Sequence, residues 1–357
     1  CVNNSTPIEE EIQKNFSTGK KSWIGLSEKH EDRDSHRQIR GGVTRMFLRT
    51  VLLLLSLFPL HTLATASPDG PLTDVEHHYA DSNGVTIHFV RRGQGHPVLM
   101  IHGFPDYWYS WRHQIEGLSD EFQTIAMDQR GYNLSGQPTG VDNYSMEFLV
   151  QDVLSVLDAL EIEKATIVGH DWGGAVAWQV AMLAPNRVAN LIVLNLPHPD
   201  GLARELKTNL VQQQNSGYAE KFINGQSTDP DIFFGGPMNA TTLSGWVREP
   251  TARLKYIEAF KRSNLAGMLN FYKANYPDRG QEVQNATFTS PRVKSPVLIF
   301  HGLEDQALHS DGLNNTWDWI DADLSILTIP NAGHFVQHDA SEMVTDTMRS
   351  WIKARTK

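Results

Sequence analysis

The sequence predicts an α/β fold: a mostly parallel, twisted sheet with helices on both faces and a mainly helical cap inserted after its sixth strand. Three observations lead there. Short apolar runs alternate with segments of helical spacing, as in parallel strands joined by crossover helices. That rhythm breaks at Pro197-His198-Pro199 and resumes near Pro296. One run, Ala165 to Val168, ends in Gly169-His170-Asp171-Trp172-Gly173-Gly174. A glycine two residues either side of a central residue lets a strand reverse sharply into a helix and hold that residue up at the carboxyl edge of a sheet.

Taken in order, Val85 to Val90 alternates as a strand does, and Arg91 to Gly95 is a turn. Pro97 to Ile101 is a fully apolar strand ending at His102-Gly103-Phe104-Pro105, and Trp108 to Leu118 has helical spacing. Phe122 to Met127 is the next strand, ending in Asp128-Gln129-Arg130-Gly131-Tyr132; Tyr144 to Leu160 is a long amphipathic helix. After the Gly-flanked turn come a helix from Gly174 to Leu183 and a strand from Val188 to Leu194. Residues 199–284 are helical and polar, and are read as the cap. The core, residues 67–198 and 285–357, resumes with a strand from Pro296 to His301. A helix near Leu313 to Ile320, a strand from Leu324 to Ile329 and a closing helix from Ser341 to Lys353 complete it. An insertion above the carboxyl edge of such a sheet covers the place where ligands bind.

The 357 residues are 40% hydrophobic and 20% charged, an ordinary globular balance that fits one large domain with an insertion. Residues 1–45 are polar and aperiodic, and are expected to be an over-called upstream segment. From Met46 a short basic start, an apolar core from Val51 to Leu60 and an Ala64-Thr65-Ala66 site have the three parts of a signal peptide, residues 46–66. The apolar run is too short to span a bilayer; a short anchor or a core helix is the alternative. Secretion or periplasmic export, with cleavage near Ala66, is therefore expected, with no integral membrane association. A net charge of −10 argues against nucleic acid and anionic membrane as partners. The only cysteine is Cys1, so the exported part would hold neither a disulfide nor a cysteine-ligated metal.

The chemistry centres on Asp171. A carboxylate at that turn displaces at an sp³ carbon and forms an alkyl ester with the protein. Water must then hydrolyse the ester, which needs a base and an oxyanion hole. Strained epoxides and carbon–halogen bonds are suitable electrophiles. The alternative for Asp171 is to cap the following helix. His334, in the loop after the last strand, is placed to be the base, and Asp305, after the preceding strand, to orient it. The order nucleophile, acid, histidine is that of the hydrolase triads on such sheets. Glu304 beside Asp305 is the other candidate acid. The backbone N–H groups of Trp172 and Phe104 are candidates for the oxyanion hole. The segment Phe104 to Trp111 is rich in aromatic rings, and Trp108 and Trp172 are candidates for binding an apolar substrate. Packing of Trp108 on Trp111 along one helix face is the plainer reading.

Together, His102-Gly-Phe-Pro105, Asp128-Gln-Arg-Gly-Tyr132, Gly169-His-Asp-Trp-Gly-Gly174, Asn195-Leu-Pro-His-Pro199 and Gly333-His334 resemble the epoxide hydrolases of the α/β-hydrolase fold over nearly all of Val75 to Thr356. The resemblance implies that the cap supplies two tyrosines as acids on the epoxide oxygen. Tyr272, in Gly267-Met-Leu-Asn-Phe-Tyr272, looks like one and Tyr218 like the other. It implies no cofactor and no metal, and a small hydrophobic epoxide with water as the second reactant. Haloalkane dehalogenases are similar at Asp171-Trp172, where Trp172 would hold halide, but carry Asn where Phe104 stands and lack the tyrosine pair. Haloacid enzymes place arginines where Trp172 and Ala175 stand. A secreted binding protein that has lost activity is a further alternative. The oligomeric state is left open.

Overall fold

In the computed structural model the described residues are 72, 74–276 and 290–356. The expected upstream segment and signal peptide, and residues 277–289 at the end of the expected insertion and the start of the resumed core, lie outside them. Three strands open the described chain: β1 (Glu76–Ser82), β2 (Val85–Arg92) and β3 (His96–Ile101). A 3₁₀ turn at Trp108–Trp111, helix α1 (Arg112–Leu118), β4 (Phe122–Met127) and α2 (Met146–Ala159) follow. Next come β5 (Ala165–His170), α3 (Trp172–Leu183) and β6 (Val188–Leu194). The insertion holds α4 (Pro199–Thr208), α5 (Leu210–Asn215), α6 (Gly217–Asn224), α7 (Ala240–Leu243), α8 (Pro250–Arg262) and α9 (Leu265–Asn275). β7 (Val297–Gly302), β8 (Leu324–Ile329), α10 (Val336–Asp339) and α11 (Ser341–Lys353) close the chain.

The eight strands form one sheet in the order β1-β2-β4-β3-β5-β6-β7-β8. β2 pairs antiparallel with β1 and β4, and every other pairing is parallel. The parallel centre explains the unbroken apolar runs: β5 and β7 are buried at all six positions because helices cover both faces. The edge strands differ. β8 alternates partly buried and exposed residues, and β1, Glu76-His-His-Tyr-Ala-Asp-Ser82, buries only Ala80 and Ser82. β1 is the strand the hydropathy pattern passes over, and it makes β6 the sixth before the insertion.

One sequence expectation is corrected. The stretch Leu313 to Ile320 is not a continuous helix but two 3₁₀ turns, Ser310–Leu313 and Thr316–Trp319. Asn315 between them sits at φ +61°, a left-handed conformation no helix can carry through.

The Asp128-Gln-Arg-Gly-Tyr132 segment braces the carboxyl edge. Arg130 forms a bidentate pair with Asp152 of α2, at 2.7 and 2.6 Å, both side chains buried. Gln129 donates twice to His102: its backbone N–H to Nε2 (3.0 Å) and its side-chain amide to the carbonyl (2.6 Å). That leaves the His102 Nδ1–H to donate to the Gly103 carbonyl at 2.8 Å, which pins the loop entering Phe104.

Candidate active site

Five loops meet above the carboxyl ends of the central strands, and each brings one part of the site. β5 turns into α3 at Asp171, whose φ of +52° and ψ of −122° lie outside the regions a non-glycine residue adopts freely. The turn is tight enough that side chains are excluded around it: a Cβ on Gly169 would lie 2.1 Å from the Gly173 carbonyl oxygen. Asp171 occupies the N-cap position of α3, yet its side chain makes no capping hydrogen bond. The carboxylate is aimed elsewhere. Its Oδ1 accepts from the Phe104 backbone N–H at 2.7 Å, and its Oδ2 faces His334 Nε2 at 3.5 Å. Gly103 makes the first approach possible, since a Cβ there would lie 2.4 Å from the Asp171 Cβ.

His334 lies between two carboxylates. Its Nδ1 donates to Asp305 Oδ2 at 2.9 Å. Burial disfavours the imidazolium, but the Asp305 charge and the hydrogen bonds to Asp171 and Asp305 outweigh it, and the pKa rises to about 10. Asp305 is buried, which works against its charge. The His334 charge and the donors around the carboxylate more than offset this and hold the group well below the usual carboxylate range. Those donors are Asn195 Nδ2 (2.7 Å) on Oδ2, and the Ala307 (2.7 Å) and Leu308 (3.1 Å) backbone N–H groups on Oδ1. Glu304 is exposed, and Asp305 is the acid in contact with the histidine.

The insertion covers this group with rings. The Tyr272 ring meets Trp172 edge-on with centroids 5.0 Å apart, Phe104 at 5.5 Å and Tyr218 at 6.0 Å. Trp172 acts on the Tyr272 hydroxyl, and Tyr272 on that of Tyr218, in the sense that favours ionisation, but weakly against the effects that oppose it. Burial, reinforced by the Asp171 charge and by neighbouring tyrosines, pushes both hydroxyls well above the ordinary tyrosine value, so both stay protonated as donors. Tyr272 is buried and Tyr218 half-buried. Asp171, His334, Asp305, Phe104, Trp172, Tyr272 and Tyr218 are thus brought together.

Trp108 is not brought to them. Its ring packs on His77, Tyr107 and Tyr109, and its backbone N–H donates to Asp128 at 3.0 Å. Asp128 is the reason: it also accepts from His88 Nδ1 (2.6 Å) and Asn133 Nδ2 (2.8 Å), and ties the 3₁₀ turn to the start of the sheet.

Three contributors escaped the sequence. Asn195, at φ +42° after β6, donates to Asp305 and to the Gly333 carbonyl (3.3 Å) and accepts from the Gly302 N–H (3.2 Å), so it joins the Asp305 loop to the His334 loop. Its place at a strand end in the Asn195-Leu-Pro motif was the available signal. His170 pairs its Nε2 with the His334 carbonyl at 2.8 Å; burial, together with the His334 charge, takes it down to about 4, so it is a neutral donor there. Trp246 of the insertion stacks on Phe335, next to His334, with rings 3.6 Å apart and 1° from parallel. Its Nε1–H donates to the Pro105 carbonyl at 3.2 Å, next to Phe104. Nothing in the local sequence around Trp246 signals those two contacts, because both partners are more than 80 residues away.

Comparison with known proteins agrees with this geometry. Residues 96–341 match the family model described as alpha/beta hydrolase fold. The chain is 30% identical to "Epoxide hydrolase 1" of Caenorhabditis elegans, over 77% of this chain and 69% of that one. Among solved structures it is similar to one titled as novel epoxide hydrolases from metagenomes of hot environments (33% identity, TM-score 0.70, 78% of this chain and 99% of that). It is also similar to the Bacillus megaterium epoxide hydrolase in complex with an inhibitor (29% identity, TM-score 0.68, 77% and 100%).

Proposed function

The chain belongs to the epoxide hydrolases of the α/β-hydrolase fold family, and we propose on that ground that it adds water to a small hydrophobic epoxide through an ester on Asp171. The observation that carries the mechanism is the split role of the Asp171 oxygens: Oδ1 on the Phe104 N–H, Oδ2 toward His334 and the covered space. Oδ2 attacks a ring carbon, the carbon–oxygen bond opens, and the ring oxygen takes the proton of Tyr272 or Tyr218. Oδ1 becomes the ester carbonyl, already seated at its donor.

Hydrolysis reverses the roles. His334 Nε2 takes a proton from water, and the hydroxide adds to the ester carbon. The oxyanion on Oδ1 rests on the N–H groups of Phe104 and Trp172. Collapse expels the vicinal diol, whose leaving oxygen takes the proton from His334; water's other proton, on the new Asp171 carboxyl, returns to the tyrosinate left by the first step, and Asp171 keeps one oxygen from water. Alkylation has by then neutralised Asp171, so the charge that holds the proton on His334 is gone when the base is needed. Halide release is disfavoured by one contact: the Tyr272 ring meets edge-on the Trp172 side chain that would hold halide, with centroids 5.0 Å apart. A parallel assay with an aryl epoxide and a bromoalkane tests the proposal. Diol without halide is expected, and halide without diol would refute it.

Export is a second proposal, supported by the basic start, apolar core and Ala-x-Ala site of residues 46–66. Retention inside the cell of protein expressed from Met46 would overturn it, and exported protein beginning inside residues 1–45 would overturn the reading of those residues as an upstream segment.

A further inference from the structure

The aromatic cover over Asp171 does not stop at the tyrosines. It runs on into a two-residue turn, Phe233-Phe234-Gly235-Gly236, closed by hydrogen bonds in both directions between Phe233 and Gly236 (2.9 and 3.0 Å). Phe234 has φ +49° and Gly235 φ +83°. A turn with both central residues left-handed takes Asn or Gly at its first place by preference, and a bulky ring there strains the backbone. The ring gains little burial in return, for Phe234 is 68% exposed. Neither backbone preference nor core packing accounts for phenylalanine at this position.

Its surroundings do. The Phe234 ring lies 5.7 Å from Tyr218 and 4.9 Å from Phe233, and Phe233 in turn lies 6.2 Å from Phe104. Tyr272, Tyr218 and Phe234 therefore form a row of rings leading outward from the nucleophile. An epoxide seated on Asp171 with its oxygen under the tyrosines extends its substituent along that row. Flat aromatic faces meet such rings edge-to-face or offset, with attraction beyond the area they bury.

We propose that Phe233 and Phe234 are specificity-determining residues that bind a planar aromatic substituent of the epoxide, an aryl ring carried a bond or two from the oxirane. This rests on the epoxide hydrolase reading above. It is tested with the full chain on phenyl glycidyl ether and 1,2-epoxybutane. Phe234→Ala is expected to raise KM for the aryl epoxide about 3- to 10-fold, leaving its kcat and both constants for the alkyl epoxide within about twofold, and Phe234→Tyr to restore the wild-type KM. Phe234→Gly relieves the left-handed strain, so it should lose aryl selectivity equally while melting no lower than wild type. An unchanged KM for the aryl epoxide, or an equal loss on both substrates, overturns the inference. Wild-type protein that hydrolyses neither epoxide overturns the underlying reading, and this inference with it, whereas turnover of both with an unaltered ratio in Phe234→Ala overturns the inference alone.

Discussion

Replacing Asp171 by asparagine is expected to release a proton from His334 without moving it. The side chain keeps its size and loses its charge, as it does when an alkyl ester forms. In the wild-type protein the imidazole holds its proton to about 10 because it sits between two carboxylates, Asp305 at 2.9 Å and Asp171 at 3.5 Å. Both members of the 3.5 Å pair are less than a fifth exposed, so solvent screens them weakly. With an effective dielectric constant of about 20, a unit pair at that distance interacts with about 5 kcal/mol. Loss of that attraction corresponds to about three powers of ten in proton affinity. The imidazole then titrates in the neutral range, where it accepts a proton from water. The sign follows directly: below that lowered pKa the alkylated protein holds a protonated, useless base, and above it hydrolysis proceeds. Proton NMR of the His334 ring between pH 5 and 11, on wild type and freshly prepared Asp171→Asn, measures the difference. Titration of the two proteins at the same pH would refute the charge-release argument and leave His334 protonated when its function requires otherwise.

Two further outcomes are expected. His334→Gln should let the ester accumulate, seen by intact-protein mass spectrometry as an increase equal to one substrate; its absence would count against His334 as the base. Asn195→Ala strips a donor from Asp305 and leaves the Gly302 N–H without its acceptor. A stability loss of about 1–3 kcal/mol in urea melts is expected, with slower ester hydrolysis, and an unchanged melt would show that the asparagine links nothing.

What was legible in the sequence follows from burial. Strands covered on both faces must be apolar throughout, so β3, β5, β6 and β7 announced themselves, and the glycines around Asp171 marked the one turn that could not be built otherwise. β1 was silent because a strand with one neighbour keeps one side wet, and its histidines and acids read as loop. Asn315 hid a break inside a helical-looking run, since a left-handed residue leaves no trace in hydropathy. His334 and Asp305 were found because loop and order suffice to propose a triad. Trp108 misled, for a ring beside the oxyanion loop in sequence was carried to the far side of Asp128 by hydrogen bonds that no spacing encodes. The contacts of Trp246 and Phe234 are long-range, and only folding brings them to the site.

Trp246 has a consequence for how this enzyme can be altered by recombination. One indole touches the loop that carries the oxyanion donor, through the Pro105 carbonyl, and the loop that carries the base, through Phe335. The helical insertion is thus part of the catalytic frame, and exchanging it for that of a relative would not be a simple change of pocket. A transplanted segment lacking an indole at this point would leave both loops unsupported, however well its own tyrosines were placed. Chimeras cut at the ends of the insertion should therefore work only when the new segment places an indole to face the residue 105 carbonyl and the ring at 335.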